Sequence, residues 1–189
     1  MVPKFAFSTK GRGTGKEKLT SFEMALRDAN IATYNLVKVS SIMPPHCKII
    51  NKKEGLKKLS PGQIVFVVLS ECSTNEPGRK ISSSVGIALP DDRSQHGYLS
   101  EHHAYGQSKK ESGEFAEDLA AYMLATTLGA PFDSNKNYNE QKDIWKISGH
   151  TVTTQEITSF AEGPANKDWI TVITAIVLIT WSFYQQELK

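Results

Sequence analysis

The chain has little charge of either sign left over: 22 Lys and Arg against 20 Asp and Glu give a formal net charge of +2 across 189 residues. So even a balance builds no basic field for a nucleic-acid backbone, and no nucleic-acid partner is expected. The one local excess, Lys52, Lys53, Lys57 and Lys58, reads as a solvated loop or helix face. Cysteine is scarce as well. Cys47 and Cys72 have neither metal-site spacing nor a small secreted framework around them, so they read as structural thiols in a reducing compartment, with the cytoplasm as the expected location. The opening "MVPKFAFSTKGRGTGK" lacks the apolar run of a signal peptide. Long hydrophobic runs are missing too, except for "WITVITAIVLITWSFY", Trp169 to Tyr184. It is shorter than the roughly 20 apolar residues a membrane helix wants, and hydroxyls interrupt it. Its β-branched residues suit a long buried strand, bent near Ala175 and covered on both faces, so no membrane partner is expected.

The length and a 39% hydrophobic content allow one well-buried core, and residues 1–189 read as a single domain. Phe5 to Thr9 forms a first strand, with "KGRGTGKEK" following as a flexible loop. Gly15 and Lys16 suggest a phosphate loop, but Glu17 and Lys10 occupy the places where that motif needs a hydroxyl residue and a glycine. Phe22, Ala25, Leu26 and Ala29 share a helical face, which predicts a helix over Ser21 to Asn30 opened by a Thr20–Glu23 capping box. Strands follow at "IATYNLVKVSSI", "QIVFVVLSEC", "KISSSVGIALP" and "YLSEHHAYG". A second capping box, Ser108 with Glu111, opens a long helix with Phe115, Leu119, Tyr122 and Met123 on its apolar face, ending at Gly129 and Pro131. "FDSNKNYNEQKD" reads as an exposed loop and "KISGHTVTTQEITSF" as an edge strand. With strands outnumbering helices and no dinucleotide fingerprint, the fold class is α+β, a layered sandwich. His46, His96, His102, His103 and His150 lack ligand spacing, and His102 and His103 alternate across a strand, so no metal is expected.

The unusual stretch is "VKVSSIMPPH", where two serines stand at the end of a strand, just before two prolines. Serine pairs before prolines are ordinary turn chemistry. A second reading gives them a reaction. A serine hydroxyl held against the preceding carbonyl can attack it and turn the peptide bond into an ester. β-Elimination then splits the chain and leaves a dehydroalanine, which tautomerises and hydrolyses with loss of ammonia to a pyruvoyl group.

"YNLVKVSSIMPP" resembles the self-processing segment of pyruvoyl-dependent arginine decarboxylases. The resemblance extends to "SFEMALRDANI" upstream and to "PGRKISSSVGIALPDD" and "GYLSEHHAYGQSKKE" downstream, covering Phe5 to about Gly129. It implies an αββα sandwich with mostly antiparallel sheets. It also implies self-cleavage between Ser40 and Ser41, giving a β chain of residues 1–40 and an α chain of 41–189 that carries a covalent pyruvoyl group derived from Ser41. By the same resemblance Asn35 is the oxyanion donor of the cleavage, Glu101 the acid that protonates carbon after CO2 leaves, and the assembly a homotrimer with sites between protomers. The implied substrate is arginine, giving agmatine. A buried guanidinium needs a carboxylate partner. Glu23 stands where the family has an aspartate, and Ala32 where a glycine is expected. Both changes leave lysine, ornithine or aspartate open as the amino-acid substrate. Two other classes stand beside this reading: an unprocessed, catalytically silent relative acting as a ligand-binding or structural subunit, and a phosphate or nucleotide binder acting through "GRGTGK".

Overall fold

The computed structural model describes residues 1–129 and 152–180. Four layers stack as helix, sheet, sheet, helix. The first sheet has five strands in the order β2-β5-β9-β1-β4 and the second four in the order β3-β7-β6-β8. In the first lie β1 (Phe5–Gly15), β2 (Asn35–Lys38), β4 (Lys48–Ile49), β5 (Ile64–Thr74) and β9 (Trp169–Ile179). In the second lie β3 (Ile42–Met43), β6 (Lys80–Pro90), β7 (Gly97–Tyr105) and β8 (Val152–Glu162). Pairing is antiparallel except for β1 with β4 and β2 with β5. Helix α1 (Lys18–Asp28) covers the outer face of the first sheet and α3 (Lys109–Thr127) that of the second, with a short α2 (Lys52–Leu56) beside β1. This is the α+β layered sandwich that the strand pattern and the resemblance imply.

Three apolar layers hold the stack. Ala25, Leu26 and Ala29 of α1 pack on Phe7, Val67 and Ile173; Val68, Ile176 and Leu178 meet Val85, Ile87 and Leu99 between the sheets; Ala120, Ala121 and Leu124 of α3 pack on Ala88. The hydroxyls that interrupt the apolar runs tie the layers together. Thr174 Oγ1 donates to Ser83 O at 2.7 Å, Ser83 Oγ to Ser70 O at 2.9 Å and Ser70 Oγ to His102 O at 2.7 Å. Among the described residues every buried side-chain N or O atom has a hydrogen-bond partner, which offsets the cost of burying these hydroxyls.

Several sequence expectations are corrected. "GRGTG" is strand rather than loop: β1 runs to Gly15 and pairs with β9 throughout, from Phe5↔Ile179 to Gly15↔Trp169. Its glycines alternate because α1 lies directly on that face. A Cβ on Gly11 would sit 2.1 Å from Ala25 O, and one on Gly13 2.3 Å from Ala25 N. The backbone amides of a phosphate loop are here committed to the sheet. Helix α1 starts at Lys18, three residues early, with no capping box; Glu17 is the N-cap without a side-chain bond. Its end is fixed by Asn30 at φ 61°, with Ile31 N donating to Leu26 O and Asn30 N to Arg27 O, a Schellman closure. The ladder of β9 passes Ala175 without interruption, pairing it with both Thr9 and Leu69.

At α3 the Ser108–Glu111 capping box forms as expected. The buried face differs from the expected one. Ser112, Gly113, Ala116, Ala120, Ala121, Leu124 and Ala125 are buried, while Phe115 and Tyr122 remain half-exposed. Close approach outranks apolar size here, because Gly86 of β6 lies directly beneath Ala116. The edge strand β8 is present from Val152, and the "FDSNKNYNEQKD" stretch lies outside the described residues. Cys47 and Cys72 are free and buried, and burial pushes the Cys47 thiol up to about 11. Among the described residues no helix is long and apolar enough to cross a membrane.

Gly86→Ala tests the helix seat. Its Cβ would stand 2.0 Å from Ala116 O, so α3 must lift. The expected cost is about 3 kcal/mol, or a melting temperature lower by about 10 °C in thermal unfolding.

Candidate active site

The expected single strand "IATYNLVKVSSI" is divided. Ile31 closes α1, β2 occupies Asn35–Lys38 in the first sheet, and β3 occupies Ile42–Met43 in the second. Ser40 and Ser41 are the crossing between the sheets. Val39 still follows the first ladder, its N–H donating to Val67 O at 3.0 Å, and Ile42 already pairs with Tyr98. Pro44 and Pro45 end the short β3, because neither can donate to a ladder.

Three hydrogen bonds hold the crossing. Ser41 Oγ donates to Glu101 Oε2 at 2.9 Å. Leu99 N donates to Ser41 O at 2.8 Å, and Ile42 N donates to Ser40 O at 2.9 Å. Leu99 and Glu101 are two apart on β7 and therefore share a face, so one strand supplies both the backbone donor and the carboxylate. The Ile42 bond spans three residues and Ser41 has a negative φ, which makes this an inverse γ-turn centred on Ser41. Ser41 is half-buried, and Ser40 and Glu101 are open to solvent. A hydroxyl bonded to a carboxylate, on the residue that follows an accessible carbonyl, is an arrangement for nucleophilic attack by serine.

The other expected site residues lie elsewhere in the same chain. Asn35 opens β2, and its Nδ2 donates to Gly62 O at 2.7 Å. The strand between Asn35 and Val39 is extended, so at about 3.3 Å per residue roughly 13 Å separates the two. Glu23 lies on α1, on the outer face of the first sheet, where Oε1 accepts from Arg27 Nε at 3.0 Å. One protomer thus brings Ser40, Ser41 and Glu101 together without Asn35 or Glu23. Two features were not anticipated from sequence. The backbone donors Ile42 N–H and Leu99 N–H leave no side-chain signature to find. Lys38 Nζ pairs with Glu71 Oε2 at 3.3 Å, an ion pair between β2 and β5 made by residues 33 apart.

The setting is an αββα sandwich in which a serine hydroxyl meets a carboxylate where the chain crosses from one sheet to the other. Residues 5–183 match the model of the pyruvoyl-dependent arginine decarboxylase family, and the chain belongs to that family. It is similar to a probable pyruvoyl-dependent arginine decarboxylase of Chloroherpeton thalassium, 57% identical over 178 residues that span 94% of this chain and 98% of the relative. It is also similar to the pyruvoyl-dependent arginine decarboxylase of Nitrosopumilus maritimus, 51% identical over 179 residues, 95% of this chain and 98% of that one. Pyruvoyl-dependent arginine decarboxylase 2 of Methanosarcina acetivorans is 49% identical over 180 residues, with the same two shares, 95% and 98%. A pyruvoyl group is made from a serine of its own chain, and Ser41, with its hydroxyl on a carboxylate and its carbonyl on a backbone amide, fits that origin.

Asn35→Ala removes the amide tie to Gly62 O. The expected loss is about 1 kcal/mol of stability, read from urea unfolding, with the slope of the transition unchanged.

Proposed function

We propose that the chain cuts itself between Ser40 and Ser41 into residues 1–40 and 41–189 and then decarboxylates arginine to agmatine. The observation that carries this reading is the 2.9 Å bond from Ser41 Oγ to Glu101 Oε2 at an exposed sheet crossing. In maturation Glu101 takes the hydroxyl proton, which frees Oγ to attack the Ser40 carbonyl carbon. In turnover the same carboxyl group holds the proton that returns to the substrate carbon after CO2 leaves. Once formed, the pyruvoyl group supplies the carbonyl that condenses with the substrate amine and draws off the electron pair released with CO2.

Glu23 is the carboxylate for the substrate guanidinium, and it already pairs with one guanidinium, that of Arg27. Asn35 and Glu23 lie away from Ser41 in their own chain, so the complete site draws on a neighbouring copy, in keeping with a homotrimer. The crossing also lies at open strand edges. β2 and β3 are both edge strands, and Val37, Ile42 and Ile64 beside them are exposed apolar residues. Edges of this kind are normally covered. Two free buried thiols agree with a reducing cytoplasmic setting.

The test is release of labelled CO2 from carboxyl-labelled arginine, lysine and ornithine. The matured protein is expected to prefer arginine on the order of a hundredfold in kcat/KM, since a site with a paired carboxylate rejects substrates that leave it unpaired. Ser41→Ala should remain one chain and release no CO2. Normal release from that variant would overturn the proposal.

A further inference from the structure

We propose that the backbone N–H of Ile42 is the oxyanion donor of the self-cleavage step. This inference rests on the reading that the chain cuts itself between Ser40 and Ser41.

Self-cleavage begins when Ser41 Oγ bonds to the Ser40 carbonyl carbon. The Oγ proton passes to the Glu101 carboxylate, and the carbonyl π electrons move onto Ser40 O. The adduct collapses as the bond from the Ser40 carbon to Ser41 N breaks. Glu101 returns the proton to that nitrogen, leaving an ester and a free amine with all atoms and electrons accounted for. Charge therefore peaks on one atom, Ser40 O, and that atom already accepts the Ile42 N–H at 2.9 Å. An N–H so placed before reaction is what lowers the barrier to a tetrahedral oxyanion.

The γ-turn explains how the donor stays aimed during attack. The new ring contains Ser41 Oγ, Cβ, Cα and N together with the Ser40 carbonyl carbon. The ring closed by the hydrogen bond shares the Ser40 carbon and Ser41 N and Cα, and continues through the Ser41 carbonyl to Ile42 N. Oγ can thus approach the carbon without displacing the donor. Leu99 is the positioning residue. Its N–H grips Ser41 O at 2.8 Å, and a planar trans peptide points its N–H opposite to its carbonyl oxygen. Fixing Ser41 O therefore fixes the direction of the Ile42 N–H. Glu101, two residues further along β7, holds the nucleophile, so a single strand aligns attacker and donor.

Asn35 does not supply this contact within its chain, because its amide is bonded to Gly62 O at the far end of β2. A neighbour's Asn35 would add a second donor to one already in place.

The direct experiment replaces Ile42 by its α-hydroxy acid through nonsense suppression, exchanging the donor N–H for an ester oxygen and keeping the side chain. The control is the same codon decoded as isoleucine. Conversion of full-length chain to fragments is followed by intact mass, which separates scission at 40–41 from hydrolysis of the introduced ester at 41–42. The expected result is cleavage slower by about a hundredfold, the effect of losing one such donor. Cleavage within about threefold of the control, against that scale, overturns the inference. A control that never cleaves sinks the proposed function instead. If the ester chain does not fold, judged by circular dichroism, a crystal structure of Ser41→Ala decides. Ile42 N within about 3.2 Å of Ser40 O upholds the assignment, and a separation beyond about 3.5 Å overturns it.

Discussion

A peptide segment that leaves one sheet for another loses its place in both ladders, and its polar groups need other partners. At Ser40 and Ser41 those partners are chemically consequential. The carbonyl of Ser40 takes the Ile42 N–H, the carbonyl of Ser41 takes the Leu99 N–H, and the Ser41 hydroxyl takes the Glu101 carboxylate. Under the proposed self-cleavage, satisfying the crossing is the same act as arranging a nucleophile, a base and an oxygen-directed donor around one peptide bond. The remainder of the sandwich serves to hold β7 of one sheet against the end of β2 from the other.

That placement depends on how closely the layers pack. Hydroxyl-to-carbonyl bonds from Thr174, Ser83 and Ser70 link the sheets, and the last of them ends on His102, next to Glu101. On the outside Gly86 lets α3 settle on the second sheet, and Ser84 bonds to Ser112 and to Thr158 at 2.7 and 2.9 Å. Among the described residues every buried side-chain polar atom is paired; such a network is stiff, and a stiff support keeps a 2.9 Å contact at a solvent-exposed site.

Much of the frame was legible in the sequence. The extents of β5 and β6 follow from their β-branched residues and flanking turns, that of β7 from the turn before it, and the capping box of α3 was visible in Ser108 and Glu111. Where expectation failed, tertiary contact had overruled a local rule. Alternating glycines read as a loop until a helix is laid on them. Phe115 and Tyr122 read as core until Gly86 selects the small-residue face of α3. Thr20 and Glu23 have capping-box spacing, yet Ser21 is drawn into the interior to meet Thr171, and the helix begins at Lys18. At the site the pair Ser41 and Glu101 was legible through resemblance. The sheet crossing was not, because β2 and β3 read as one continuous strand, and no side-chain pattern announces backbone donors.

The central claim is that this crossing breaks its own backbone and leaves a ketone on the new end. Intact-mass spectrometry of purified, aged protein, with and without a carbonyl-reactive hydrazine, tests it most directly. The account predicts two fragments, residues 1–40 and 41–189, with hydrazine added only to the larger. A single unbroken chain that takes up no hydrazine would contradict it.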